Sequence, residues 1–456
     1  MGIDSRDFVV DKAFKFKQRI EELKSKEYYS DEPKKLISLF DKVVTHISES
    51  INEANKDDKI LVKRVNLLLS FYHLCLDEIE HIEANNVPVE MLPLFDKILA
   101  DFKLETTLVF RPSPLYNYSY YPITKTFDEI NKSQGYAELT KGEDIAVISF
   151  PSSEKNSALL HCSFAHELGH HLNEYFSIAD EIEPKVLELI DKELIKRYAE
   201  KYLKKLSKTR TRIGKTEVTL DKFILKEHVV SQNTEEFAKI IRKWLDEIIS
   251  DIIALHLFGP AFLFAIAEFS IVRQDFKKYS EEHPPIFIRL KNLMSCFDEL
   301  RLSQDLKDYE HVMQRLQFYR EISTGTFESE DLTMSNITNM ILERGIINLF
   351  EPAKTIINSR LKPLKKICDF ADIKHAVRAF RNLIPGNEVL NKDLTSRTIG
   401  AVSILNAAWI VRINFIDELY NMLAKTERAR VRSILNELTL KSLDLQSFHD
   451  KMVETK

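Results

Sequence analysis

Residues 159–176 read LLHCSFAHELGHHLNEYF, and within them His166, Glu167 and His170 spell H-E-x-x-H. The stretch is apolar along one side and holds a single helix-weakening residue, Gly169, so its periodicity predicts a helix. Residues four apart on an α-helix stand one turn above each other, so both imidazoles project from one face and can share a metal ion. Glu167 is rotated from His166 by about 100°, which sets its carboxylate beside that ion, free to handle a proton. Zinc is the expected ion, one per chain. It binds neutral imidazole and, with one coordination position open, lowers the pKa of bound water to about 7. A neighbouring carboxylate then takes the proton as water attacks a carbonyl, and returns it to the leaving amine.

A third protein ligand completes such a site. In the metzincin pattern a His follows six residues after the second His, with a Gly at the third; here those positions hold Phe176 and Asn173. Residues 244–260 read WLDEIISDIIALHLFGP, placing Glu247 and Asp251 one helical turn apart among Trp244, Ile248, Ile252 and Leu255. Two acids on a largely apolar helix are costly to bury unless something positive holds them. A metal ion meets that need; on spacing alone, a solvated acidic edge of an amphipathic helix meets it equally well. The pair resembles the gluzincin E-x-x-x-D element. That resemblance implies Glu247 as third zinc ligand and Asp251 as the carboxylate that orients a zinc-binding imidazole.

Residues 283–290 read HPPIFIRL. The order H-E-x-x-H, E-x-x-S-D, H-P-P-x-x-x-R-L is similar to the CAAX prenyl endopeptidase and heat-shock membrane peptidase family of gluzincins. The resemblance implies that His283 stabilises the oxyanion and that Arg289 holds a nearby carboxylate. Read without it, His283 and Arg289 are a His-Pro turn starting a helix and a surface cation. Members of that family carry membrane spans, which need roughly 20 uninterrupted apolar residues. Here the most apolar run, 248–272, is interrupted by Asp251, His256, Gly259, Pro260 and Glu268, so no span is expected. The E-x-x-x-D element also resembles that of soluble ImmA/IrrE-type regulatory peptidases, where it follows the first motif more closely.

The flanks bound the architecture. With 456 residues, 10 Gly and 14 Pro, the chain has room for two or three domains and too few turn residues for a β-rich fold. A mainly α fold with a small antiparallel sheet (α+β) follows, a zincin-like core between helical terminal regions. The expected domains are a helical bundle over 1–100, a metallopeptidase core over 101–300, and a helical region over 301–456. An insertion at about 178–232 interrupts the core, with a charged helix and a basic segment around Gly214; a boundary loop is expected at 325–336. Residues 106–110 (TTLVF) and 144–150 (DIAVISF) read as strands, an edge strand of which would pair with an extended substrate. Asn233, with Glu236 three positions on, gives a capping-box start for the helix of Glu247.

Several further side chains are candidates. Tyr116, Tyr118, Tyr120 and Tyr121 each carry a phenol that could donate to an oxyanion, with aromatic packing as the simpler reading. Arg111 suits either a substrate carboxylate or an internal pair. Cys162, one turn before His166, reads as a buried structural thiol. His161 and His171 read as packed imidazoles, and Asn406 and Trp409 as residues of a buried helix.

The net charge is -5 with both signs interspersed, which leaves no footprint for nucleic acid. Cys75, Cys162, Cys296 and Cys368 show no pairing or metal spacing, which fits reduced thiols. The first residues lack the apolar core of a secretory signal, so a cytoplasmic chain is expected. The leading expectation is a soluble zinc metallopeptidase acting on a protein or peptide substrate, with a regulatory protein as a further partner. Two alternatives are a zinc amidase or deformylase on small substrates, and a non-catalytic, metal-stabilised helical scaffold that binds proteins.

Overall fold

A computed structural model describes residues 5–53, 87–133, 142–188, 222–273, 282–324, 355–357, 359–361, 369–390, 396–423 and 427–454, with isolated positions between 65 and 82. The chain is mostly helical with a small mixed sheet. Helices α1 (Ser5–Lys24) and α2 (Glu32–Glu53) pack as a hairpin. The stripe Leu36, Phe40, Val43, Val44 and Ile47, spaced to keep one face of α2 apolar, is buried. Then come α3 (Leu92–Asp101), β1 (Thr107–Ser113), β2 (Ser119–Tyr121), α4 (Ile123–Ser133) and β3 (Ile145–Pro151).

The sheet order is β1-β3-β2. Within this sheet antiparallel pairing, expected throughout, holds only for β2 with β3, where Tyr120 faces Ile148. Strand β1 runs parallel to β3, with Thr107 facing Ile145, because β2 and α4 stand between them in the chain and together form a crossover rather than a tight hairpin. Strand β1 outlasts its expected end at Phe110. The Phe110 N–H points away from β3 and donates to the Tyr29 hydroxyl at 2.9 Å. Position 112 faces the same outer edge, where proline forfeits no ladder bond.

Helix α5 (Phe164–Tyr175) carries the H-E-x-x-H residues. It is followed by α6 (Ile178–Glu188), α7 (Lys222–Phe258), α8 (Pro260–Arg273), α9 (Ile286–Glu299), α10 (Leu302–Leu306), α11 (Glu310–Ser323) and α12 (Phe370–Arg381). A short antiparallel ladder, β4 (Glu388–Leu390) with β5 (Ser396–Thr398), precedes α13 (Ala401–Asn414), α14 (Ile416–Met422) and α15 (Arg428–Glu454). The capping signal at Asn233 does not start a helix: α7 begins at Lys222 and Asn233 lies inside it. Apolar and helix-favouring residues precede that signal, so the turn upstream continues rather than ends. The basic segment around Gly214, the expected loop at 325–336, Cys75 and Cys368 lie outside the described residues.

Two compact units divide the chain. The first holds residues 1–167, 385–401 and 433–456, the second 168–384 and 402–432. In the first, Phe95, Phe110, Phe150 and Phe164 form an aromatic core with ring centroids 5.1 Å apart in its closest pair, which fixes the first residue of α5. In the second, α7 packs against α6, α8 and α9 and buries Trp244, Ile249, Ile253 and Leu257. The chain turns from α7 into α8 at Gly259, whose φ is +60°. Asn406 of α13 secures that turn: its Oδ1 accepts from Ala261 N–H at 2.8 Å, and its Nδ2 donates to the Phe258 and Val402 carbonyls. Among the described residues no helix is long and apolar enough to cross a membrane.

Candidate metal centre

The division between the units falls inside α5, after Glu167, so His166 and Glu167 are tied to His170 by one continuous helix. Both histidines occupy the face that their four-residue spacing dictates. Beneath that face α5 meets α7 at Gly169. A Cβ built on Gly169 would lie 2.5 Å from the Ser250 carbonyl oxygen and 2.9 Å from its Cα. The two backbones approach this closely only because position 169 has no side chain, and the acids of α7 thereby come within reach of the imidazoles.

On α7 the polar residues form two adjacent stripes. Asp246 and Ser250, one turn apart, face His170: its Nδ1 lies 3.2 Å from Asp246 Oδ2 and 3.1 Å from Ser250 Oγ. Glu247 and Asp251, rotated one residue on, face α9. Glu247 is buried and joins both groups. Its Oε1 lies 3.3 Å from His170 Nε2 and 3.1 Å from His283 Nδ1, and its Oε2 lies 3.2 Å from Arg289 Nη1. Arg289 also donates from Nε and Nη2 to the two oxygens of Asp251, each at 2.7 Å. Such a two-pronged bond to a fully buried carboxylate is what the planar guanidinium is shaped for.

The segment before α9 sets the last two positions. Pro285, extended at φ -52° and ψ 141°, ends the His-Pro-Pro turn, and α9 starts at Ile286. That places Arg289 on its first turn, pointing to α7, and leaves the His283 side chain 60% exposed at the rim.

His166, His170 and Glu247 each offer one ligand atom, all within 4.8 Å of one another. The group could hold a metal ion. Two imidazole nitrogens and one carboxylate oxygen are a donor set that suits zinc, and ligands bonded at about 2.0–2.2 Å to a tetrahedral ion stand roughly 3.4 Å apart, close to the 3.3 Å between His170 Nε2 and Glu247 Oε1. The surroundings of His170 also call for positive charge. Burial alone would push its pKa down, but the hydrogen bonds it donates to Asp246 and Glu247, together with their charges, hold it well above the ordinary imidazole value. A metal at Nε2 would satisfy the same two acids.

The remaining candidates fall into place around β3. His161 is fully buried and stacks on Phe164 with ring centroids 4.7 Å apart. Its Nε2 faces the Lys155 carbonyl and its Nδ1 faces the Tyr118 hydroxyl, both at 3.3 Å. A carbonyl only accepts, so Nε2 carries the proton and Nδ1 accepts from Tyr118. The Tyr118 proton is thereby engaged, and Tyr116 donates to Glu154 at 3.2 Å. Tyr120 and Tyr121 stand on the edge strand β2. Arg111 lies within the sheet, its Nε donating to Ser149 of the neighbouring strand at 3.0 Å. Cys162 is a buried thiol whose Sγ lies 3.9 Å from the Ala158 carbonyl.

Asp246, Ser250 and Asn173 are site residues that no motif in the sequence marks. Only the four-residue spacing of Asp246 and Ser250, offset by one from Glu247 and Asp251, hinted at a second polar stripe. Compared with known proteins, the chain matches no family model, no curated protein and no solved structure.

Proposed function

We propose that the chain is a zinc-dependent metallopeptidase that hydrolyses peptide bonds of a protein or peptide substrate in the cytoplasm, with limited, regulated cleavage as its role. The observation that carries this reading is the meeting of Glu247 with His170 Nε2 at 3.3 Å while Arg289 braces its other oxygen. An acid spaced far along the chain from H-E-x-x-H reaches the imidazoles, as a third ligand must. His166, His170 and Glu247 would hold the ion. Zinc, when bound, would polarise a carbonyl and acidify water at the open position.

Glu167, buried and offset from the two imidazoles, takes the proton of the attacking water and delivers it to the leaving amine. His283, at the exposed rim and anchored through Glu247, donates to the developing oxyanion. Arg289 keeps Glu247 and Asp251 charged and fixed.

Purified protein should contain about one zinc per chain, consistent with one three-ligand site, and His170→Ala should lose it. Glu167→Gln should keep metal and fold yet lower peptide hydrolysis roughly 10²–10⁴-fold, the usual contribution of a general base. Comparing protein termini in cells that carry wild type or Glu167→Gln identifies the substrate. Unchanged zinc in His170→Ala would overturn the ligand assignment.

A further inference from the structure

His170 has two ring nitrogens, and they meet different carboxylates. Nε2 stands 3.3 Å from Glu247 Oε1, on the side of the metal-competent group, whereas Nδ1 faces Asp246 Oδ2 at 3.2 Å and the Ser250 hydroxyl at 3.1 Å. A ligating imidazole must keep its lone pair on the nitrogen that faces the ion, so the proton must sit on the other. A carboxylate only accepts, and one placed at Nδ1 enforces that tautomer.

Asp246 is itself held. Asn173 stands one turn beyond His170 on α5 and is buried. Its Oδ1 accepts from the Ala179 N–H at 2.9 Å, in the first turn of α6. That backbone donor fixes which way the amide points, so Nδ2 must face outward, and it donates to Asp246 Oδ1. The tight turn between α5 and α6, with Ser177 at φ +50°, brings Ala179 back over Asn173. A chain of bonds thus runs from the α6 backbone through Asn173 and Asp246 to His170.

We infer that Asp246, braced by Asn173, is the positioning residue that sets the His170 tautomer and aims Nε2 at the metal. Asp251, one stripe over, is instead gripped at both oxygens by Arg289. This inference rests on the proposed metal site, and its test separates the two.

Full-length wild type and Asp246→Ala, stripped of metal by a chelator, are titrated with Zn²⁺ against a chromophoric competitor. The dissociation constant should rise about 10–100-fold in Asp246→Ala, the usual cost of removing a carboxylate behind a ligating His. The visible absorption of the Co²⁺-loaded protein should change while the far-UV circular dichroism stays the same. Asp246→Asn, which keeps one acceptor oxygen, should lose less.

Wild-type affinity and an unaltered Co²⁺ spectrum in Asp246→Ala, with binding lost in His170→Ala, would overturn the role of Asp246 alone. Unchanged binding in His170→Ala would instead remove the metal site beneath it. Should Asp246→Ala fail to fold, Asn173→Asp serves. It keeps the acceptor for Ala179 but sets a second carboxylate against Asp246, and should weaken Zn²⁺ binding roughly 10-fold; no weakening overturns the inference.

Discussion

His161 is fully buried and His170 is partly buried, nine positions apart in the sequence, and their surroundings drive them in opposite directions. Around His161 the first unit supplies Phe150, Phe164 and Tyr118, with only neutral hydrogen-bond partners. Burial there outweighs the backbone carbonyls and lowers its pKa to about 4. Around His170 the second unit supplies Asp246 and Glu247, and their bonds and charges outweigh burial, raising it. An imidazole in a dry apolar cage stays neutral and structural, whereas one flanked by acids becomes a place for a cation. Burial by itself therefore does not distinguish a core histidine from a ligand. The charges that accompany it do.

The largest effect is expected where the charged side of this contrast is broken. Arg289→Met takes from Asp251, which is fully buried, the guanidinium that grips both its oxygens, and from Glu247 one of its cationic neighbours, and should cost about 3–5 kcal/mol in denaturant unfolding of the metal-free chain. Adding Asp251→Leu should recover part of that loss, since an apolar pair often replaces a buried ion pair at little cost.

The apolar side is sharpened by pH. The folded pKa of His161 is about 4 against an ordinary value of 6.5, so below pH 6.5 the unfolded chain binds the proton more readily. Its contribution is complete above pH 6.5 and is lost as pH falls toward 4, amounting to about 3 kcal/mol. His161→Phe should remove that part of the acid sensitivity, read as a flatter unfolding free energy over this range, even though the lost bond to Tyr118 lowers stability at neutral pH.

A smaller effect is expected from Gly169→Ala. Its methyl group would press on the Ser250 backbone, which cannot rotate away. It should cost about 1–3 kcal/mol and weaken Zn²⁺ binding by spreading α5 from α7, while leaving the acid response of His161 as it was. The smallest belongs to charge without burial. Arg242→Ala, which removes an exposed pair with Asp180 at 2.8 Å, should change stability by less than about 1 kcal/mol.

Much of this was legible in the chain. The α2 stripe, the helix of His166 and His170 and the strand cores at 107–110 and 145–150 follow from period and residue type. The parallel direction of β1 was not, because strand sense depends on the connection through β2 and α4 rather than on the strands' own composition. Nor was the start of α7 at Lys222, since a capping signal is weak beside an uninterrupted run of helix formers. Strands β4 and β5, three residues each, were too short to leave a pattern.

By itself the sequence determined that two imidazoles share a helix face with a carboxylate beside them, and that acids recur one turn apart on another helix. Both are consequences of the 3.6-residue turn, which acts within a single element. Only the tertiary structure decided which acid meets which nitrogen: Asp246 at Nδ1 of His170, Glu247 at Nε2, and Asp251 with Arg289. That choice depends on how closely and at what height α5 lies on α7. The contact at Gly169 sets this distance, and no periodicity within either helix encodes it.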